Sequence, residues 1–330
     1  MYSSGYDFEG FVGDFKELLI DFVQMKQAMG FDYGTTADGL KQFSKFSLQF
    51  KIEKHILTKE LVEAWIAKRS NEKDVTRYKR LNILKQFAVY LTNLGYEAYI
   101  PVCKAKINRY SYVPYIFTKE ELKLFFNECD RVKPHPLSNK HLLLPVIFRL
   151  LYGCGLRISE AVALKLKNID FSKSVITVYC SKHDKDRYIP MSKSLNECMQ
   201  SYYAAVHGVS TPEDFFFINK DRTAISADTV YRNFRMILWR CGISHGGKGR
   251  GPRQHDLRFS FAVHALNQLL EQGLNLYCAL PLLSTYLGHA SVKATEKYIR
   301  LTQEAYPDIL DKTSSYSAYV FPEVRQDETN

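Results

Sequence analysis

Seven polar residues in the second half of the chain stand in stretches otherwise built from apolar helix-formers or short strands: Arg157, Glu160, Lys182, His255, Arg258, His289 and Tyr298. Arg157 and Glu160 lie in the segment Gly153-Cys-Gly-Leu-Arg-Ile-Ser-Glu-Ala-Val-Ala-Leu164, where a helix restarts after a glycine-bearing turn and the arginine is flanked by apolar positions. A buried guanidinium needs an anion, because an unpaired charge out of water is strongly destabilising. Glu160, three residues on, could supply it as a structural ion pair, or the anion could come from outside the chain. His255-Asp-Leu-Arg258 sets a hydrogen-bond donor and a second guanidinium three apart, on one face of a helix. Leu287-Gly-His289 and Tyr298, nine residues beyond that histidine, straddle a helix–turn–helix junction. Singly, each has an ordinary reading as an i,i+3 pair, a half-buried histidine or one core tyrosine among 22.

The elements that must position these residues are mostly helical. Residues 8 to 98 read as helices joined by short polar connectors. The clearest runs from Asp74, a plausible N-cap, with Leu81, Leu84, Phe87, Ala88 and Leu91 on one face, Arg77, Lys79, Arg80 and Lys85 on the other, and Gly95 at its end. That basic face is either a solvated surface or a set of phosphate contacts. Residues 99–115 lose helical period, hold two prolines and several cations, and read as an extended linker. Thr118-Lys-Glu-Glu121 is then a capping box that opens a second domain. Two strand-like runs, Val175–Tyr179 and Arg187–Met191, flank a Lys/His/Asp connector carrying Lys182. Helices are expected again at 227–240, 255–272, 280–287 and 291–301. The glycine-rich stretch 246–251 lacks the spacing and preceding strand of a phosphate-binding loop and reads as a basic loop carrying Lys248 and Arg250.

Composition narrows the class. The chain's 330 residues, 46% of them hydrophobic, are enough for one to three domains with full cores. A formal charge of +10 favours a polyanionic partner. Seven scattered cysteines, with no C-x-x-C pair, argue against a disulfide framework or a zinc site and fit a reducing cytosol. No signal sequence or membrane-length apolar run is present, which points to a cytoplasmic protein.

Read jointly and in order, Arg157-Ile-Ser-Glu160, a hairpin Lys182, His255-x-x-Arg258, Leu-Gly-His289 and Tyr298 resemble the full signature of the tyrosine recombinases, the family of phage and transposon integrases and bacterial chromosome-dimer resolvases. The likeness covers Thr118 to Leu301 motif by motif, with Lys182 rather than Lys185 aligning with the family's hairpin lysine. Phe-Ser-Phe after Arg258 and Ile-Arg after Tyr298 depart from common relatives at non-catalytic positions.

The resemblance implies a mainly α protein with a small antiparallel sheet, arranged as a two-domain DNA clamp. Residues 1–98 would form a helical core-binding domain, 99–115 a basic linker, 116–312 a mixed α+β catalytic domain, and 313–330 a tail that docks onto a neighbouring protomer. It further implies that Tyr298 attacks a DNA phosphodiester, storing the bond as a 3′-phosphotyrosyl link, so that neither a metal nor a high-energy cofactor is needed. Arg157 and Arg258 would hold the phosphate. His255 and His289 would donate to it, one of them accepting the phenol proton, while Lys182 protonates the leaving 5′-oxygen and Glu160 holds Arg157. The implied partners are double-stranded DNA with paired inverted binding elements, three further copies of the chain in a synaptic tetramer, and an accessory excision factor. Bacterial or phage origin and a place on a mobile element follow from the same likeness. The rival readings are a non-catalytic DNA-binding relative, and a type IB topoisomerase or telomere resolvase, which shares the chemistry.

Overall fold

The computed structural model describes residues 7–31, 33–102, 113–181, 185–244, 246 and 251–289. The chain divides into two compact units, Met1–Tyr112 and Val113–Asn330.

The first unit contains α1 (Lys16–Ala28), α2 (Gly34–Ser47), α3 (Lys59–Ile66) and α4 (Asp74–Asn93). Their apolar faces meet on Phe87, against which Phe22 and Phe15 stack edge-on with ring centroids 5.6 and 5.9 Å away. Such pairs add about 0.5–1.5 kcal/mol each beyond simple burial. The α4 stripe expected from periodicity, Leu81, Leu84, Phe87, Ala88 and Leu91, is buried. Gly95, just beyond the helix, has φ +86°, a conformation other residues rarely adopt. The start of α4 differs from expectation. Asp74 is the first helical residue rather than the cap; its carboxylate accepts a 2.8 Å hydrogen bond from Lys68 Nζ, so it favours the helix N-terminus by charge and not by capping.

Near the start of the second unit the capping box expected at Thr118 is formed. Thr118 Oγ1 accepts from the Glu121 amide (3.1 Å), and Glu121 Oε2 accepts from the Thr118 amide (2.9 Å). This closed box starts α5 (Lys119–Asp130). There follow α6 (Lys140–Gly153), α7 (Ile158–Val162), a 3-10 turn (Leu166–Asn168), β1 (Ile169–Asp170), β2 (Val175–Ser181) and β3 (Lys185–Pro190). The unit continues with α8 (Lys193–Val206), α9 (Ala227–Arg240), α10 (Asp256–Glu271) and α11 (Leu276–Leu287). Helix α6 is apolar on nearly every side, burying Leu143, Leu144, Val146, Ile147, Phe148, Leu150 and Leu151. That pattern makes it a central helix. Around it Phe117, Phe125, Phe216 and Phe234 fill the main core, while α10 and α11 form a second cluster through Phe259, Leu266, Leu283 and Leu287.

The three strands form one antiparallel sheet in the order β1-β2-β3. The protein is therefore mainly α with a small antiparallel sheet, as the sequence implied. β1, only two residues long, has no alternation for a sequence reading to find. Helix α11 starts a turn before the expected Leu280, because Asn275 caps it by accepting from the Tyr277 amide at 2.8 Å and Pro281 is accommodated inside it. No described helix is long and apolar enough to cross a membrane. The expected helix at 291–301, the tail at 313–330 and linker residues 103–112 lie outside the described residues.

Candidate active site

The turn between α6 and α7 is the first half of the site. Gly155 has φ +57°, and a Cβ there would come within 2.5 Å of Phe261 Cδ1, so the turn needs glycine for conformation and for space. The turn delivers Arg157 to the N-cap of α7, with its side chain 27% exposed. Its backbone amide donates to Glu160 Oε2 at 2.8 Å and its Nη1 to Glu160 Oε1 at 2.7 Å. The i,i+3 pair that the sequence offered as one reading is thus formed. It does not exhaust Arg157, whose Nη2 reaches the Gly288 carbonyl in a longer, 3.3 Å contact.

Helix α10 supplies the second half. Arg258, in its first turn, is only 2% exposed. Its Nη1 donates to the Gly155 carbonyl at 2.5 Å, and its Nη2 donates to the Leu287 carbonyl at 2.6 Å while lying 3.2 Å from His289 Nε2. One planar fork therefore fastens the α6–α7 turn to the end of α11. His255 stands at the N-terminal end of the same helix in an exposed position, its ring edge-on to Phe259 at 5.1 Å. The two residues expected on one helical face thus differ in depth: Arg258 is buried beneath the site and His255 stands at its rim.

Helix α11 ends where Gly288 turns left-handed, with φ +63° and ψ +49°, and the His289 amide donates back to the Ser284 carbonyl at 3.0 Å. This closure points the chain from Leu287 through His289 past both arginines. Arg157, Arg258 and His289 consequently meet at the 287–289 turn.

A fourth residue, missed by the sequence reading, completes the arrangement. Arg187 on β3 is 8% exposed and donates from Nη1 and Nη2 to the two oxygens of Glu160, at 3.1 and 2.7 Å. Glu160 is thus shared between two guanidiniums. Burial pushes its carboxyl up, but Arg187, then the Arg157 amide and side chain, outweigh that and hold it below the ordinary glutamate value. A signal for Arg187 was present in the strand alternation: Arg187 and Ile189 are buried while Asp186, Tyr188 and Pro190 are exposed, so a charged residue occupies an inward position.

Lys182, Tyr298, Lys248 and Arg250 lie outside the described residues. Tyr286, the described tyrosine nearest in sequence to the proposed nucleophile, is half-buried against Phe261, with ring centroids 5.5 Å apart. Burial raises its phenol well above the usual range, and Cys154 beside it is pushed up to about 12 by the same cause. A phenol so hard to ionise is a poor nucleophile.

In the first unit, Lys79 is exposed, whereas Arg77 Nε donates to the Ile66 carbonyl at 2.8 Å. Arg80 is engaged within the unit. Its Nε and Nη2 bind the Glu72 oxygens at 3.0 and 2.7 Å, Nη2 also reaches the Ala67 carbonyl, and the fork lies 5.2 Å from the centroid of the Trp65 ring. Arg80 ties α4 to the end of α3, and its side chain is only 11% exposed.

The profile of the phage integrase family matches residues 116–305, more than half of the chain and all of the site just described. A tyrosine recombinase of Pseudothermotoga lettingae is 26% identical over 277 residues, covering 83% of this chain and 88% of its own. The tyrosine recombinase XerA of Pyrococcus horikoshii is 31% identical over 207 residues, 61% of each chain. Among solved structures, a lambda integrase dimer bound to a core site shares the fold with a TM-score of 0.63 at 16% identity, over 86% of this chain and 94% of that one. With that profile matching more than half of its length, the chain belongs to the phage integrase family of tyrosine recombinases.

Proposed function

We propose that Tyr298 is the nucleophile of this recombinase, attacking a phosphodiester of double-stranded DNA to leave a 3′-phosphotyrosyl bond and a free 5′-hydroxyl. The observation that carries this reading is the meeting of Arg157, Arg258 and His289 at the 287–289 turn, nine residues before Tyr298. A phosphodiester carries one negative charge and concentrates more on its non-bridging oxygens as the phenol oxygen approaches. Two guanidiniums held in place before the reaction stabilise that charge without reorganising. His289 and the rim residue His255 donate to the same oxygens, and one of them takes the proton of a phenol whose pKa is ordinarily about 10. Lys182 protonates the departing 5′-oxygen. Reversal by another strand's 5′-hydroxyl breaks the phosphotyrosyl bond and rejoins the DNA, so bond energy is conserved through the covalent intermediate.

The first unit, the linker at 99–115, and Lys79, Lys248 and Arg250 supply backbone contacts to paired inverted elements. The tail at 313–330 joins four copies into the synaptic complex, with an accessory factor for excision. Incubation with a suicide duplex tests the chemistry: an SDS-resistant protein–DNA adduct should form, and Tyr298→Phe should abolish it with binding retained. Binding without any adduct would favour a non-catalytic relative. Efficient relaxation of a supercoiled plasmid lacking the site would favour a topoisomerase.

A further inference from the structure

We infer that Arg187 is a positioning residue of the reaction: by neutralising Glu160 it keeps Arg157 available to the phosphate, and it braces the turn that carries His289. This rests on the reading of Arg157 as a phosphate ligand.

Arg187 occupies an inward position of β3, next to the fully buried Ile189. A guanidinium there is costly unless paired, and the pairing it has is specific. It takes both oxygens of Glu160, whereas the Arg157 side chain holds only one. The division matters because Glu160 is the carboxylate that would otherwise close on Arg157 in a two-point pair. A guanidinium locked in such a pair presents its charge and its donors to the carboxylate instead of to DNA. With Arg187 satisfying Glu160, Arg157 keeps Nη2 on a long 3.3 Å contact to the Gly288 carbonyl, which an incoming phosphate oxygen can replace. Arg187 also lies under Gly288: a Cβ on that glycine would stand 3.0 Å from Arg187 Nη1 and 3.1 Å from its Cδ. The side chain therefore fills the space beneath the turn leading to His289. Because β3 is also the strand that follows the segment carrying Lys182, one residue links the strand after the hairpin lysine, the first arginine and the histidine turn.

The test uses the full chain with Arg187→Met, which keeps bulk but not charge, Arg187→Lys, and Arg187→Met combined with Glu160→Gln. Two measurements are made on each: the single-turnover rate of adduct formation on a suicide duplex, and the affinity for orthovanadate as an inert phosphate mimic. Melting temperature serves as a control for folding. Arg187→Met should slow adduct formation roughly 10–100-fold, the size of effect known for removing a group that orients a metal ligand and taken here by analogy. It should weaken vanadate binding in parallel. Arg187→Lys should fall between, since an ammonium is a point charge without a two-pronged fork. The diagnostic outcome is rescue. Removing the carboxylate's charge in the double variant should restore both vanadate affinity and rate relative to Arg187→Met, which a purely structural role would not do. The proposal is overturned if Arg187→Met retains rate and vanadate affinity, or if the double variant is no better than Arg187→Met. A different failure marks the underlying reading: vanadate affinity unaffected by Arg157→Ala would remove Arg157 from the phosphate site, whatever Arg187 does.

Discussion

Replacing Arg258 by methionine should lower stability and activity together, and the structure indicates by how much. The guanidinium donates to the carbonyls of Gly155 and Leu287, both in buried residues on separate elements. A buried carbonyl stripped of its donor costs about 1–3 kcal/mol, so two cost roughly 2–6 kcal/mol. For a domain of the second unit's size each kcal/mol lowers the melting temperature by about 2–4 °C, and a fall of at least roughly 4 °C is expected. Losing one preorganised donor from developing oxyanion charge separately slows chemistry by about 10²–10³. Arg258→Lys separates the two effects. Its single ammonium can satisfy one carbonyl but not bridge both, so stability should recover in part while the rate remains low. Calorimetry of the full chain and single-turnover adduct formation read the two quantities. If Arg258→Met melts with the parent protein and forms adduct at a comparable rate, the arginine neither fastens the two turns nor meets the phosphate.

Gly288→Ala should destabilise by about 1–2 kcal/mol through its left-handed backbone, φ +63°, and should also slow adduct formation because the new Cβ displaces Arg187; urea unfolding together with the cleavage assay checks both. Glu160 gives a pH dependence. Its carboxyl is held below the ordinary value, so as pH falls the unfolded chain takes up the proton first. The contribution is full above about pH 4.5 and lost as pH drops through the folded value, and Glu160→Gln should flatten that acid-side loss in urea midpoints measured from about pH 7 down to about pH 2. Arg80→Ala should lower melting temperature by breaking the α3–α4 tie without altering the salt dependence of DNA binding. Lys79→Ala should do the reverse, reducing the log–log slope by roughly 0.9 if it meets one phosphate.

What the sequence disclosed and what it withheld follow from the range of the interactions. The α4 stripe, the Thr118–Glu121 box and the paired strands are local patterns with a fixed period, so single residues announce them. Arg157 and Arg258 were legible because a charge set among apolar neighbours is anomalous in the sequence. That Arg258 lies beneath the site and His255 at its rim was not legible, since three residues of helix spacing do not report which residue is buried. Arg187 was missed for a related reason. Its partner, Glu160, is 27 residues away, and the surrounding Lys/Asp/Arg run reads as an exposed hairpin until strand alternation is followed through it. Arg80 shows the converse, a cation in a basic run that looks free for phosphate yet spans to Glu72 at the other side of a turn. Asp74 met the pattern for a cap, yet it is the first helical residue and its carboxylate accepts from a lysine six residues earlier.

The central claim is that Tyr298 carries the DNA strand during recombination. The most direct measurement is to trap the adduct on a suicide duplex, digest the DNA with nuclease and the protein with trypsin, and locate the residual nucleotide by mass spectrometry. The expected result is a nucleotide mass on the peptide containing Tyr298, linked through its 3′-phosphate and missing in Tyr298→Phe. A nucleotide on the peptide bearing Tyr286 or Tyr306, a 5′-phosphate linkage, or an adduct undiminished in Tyr298→Phe would contradict it.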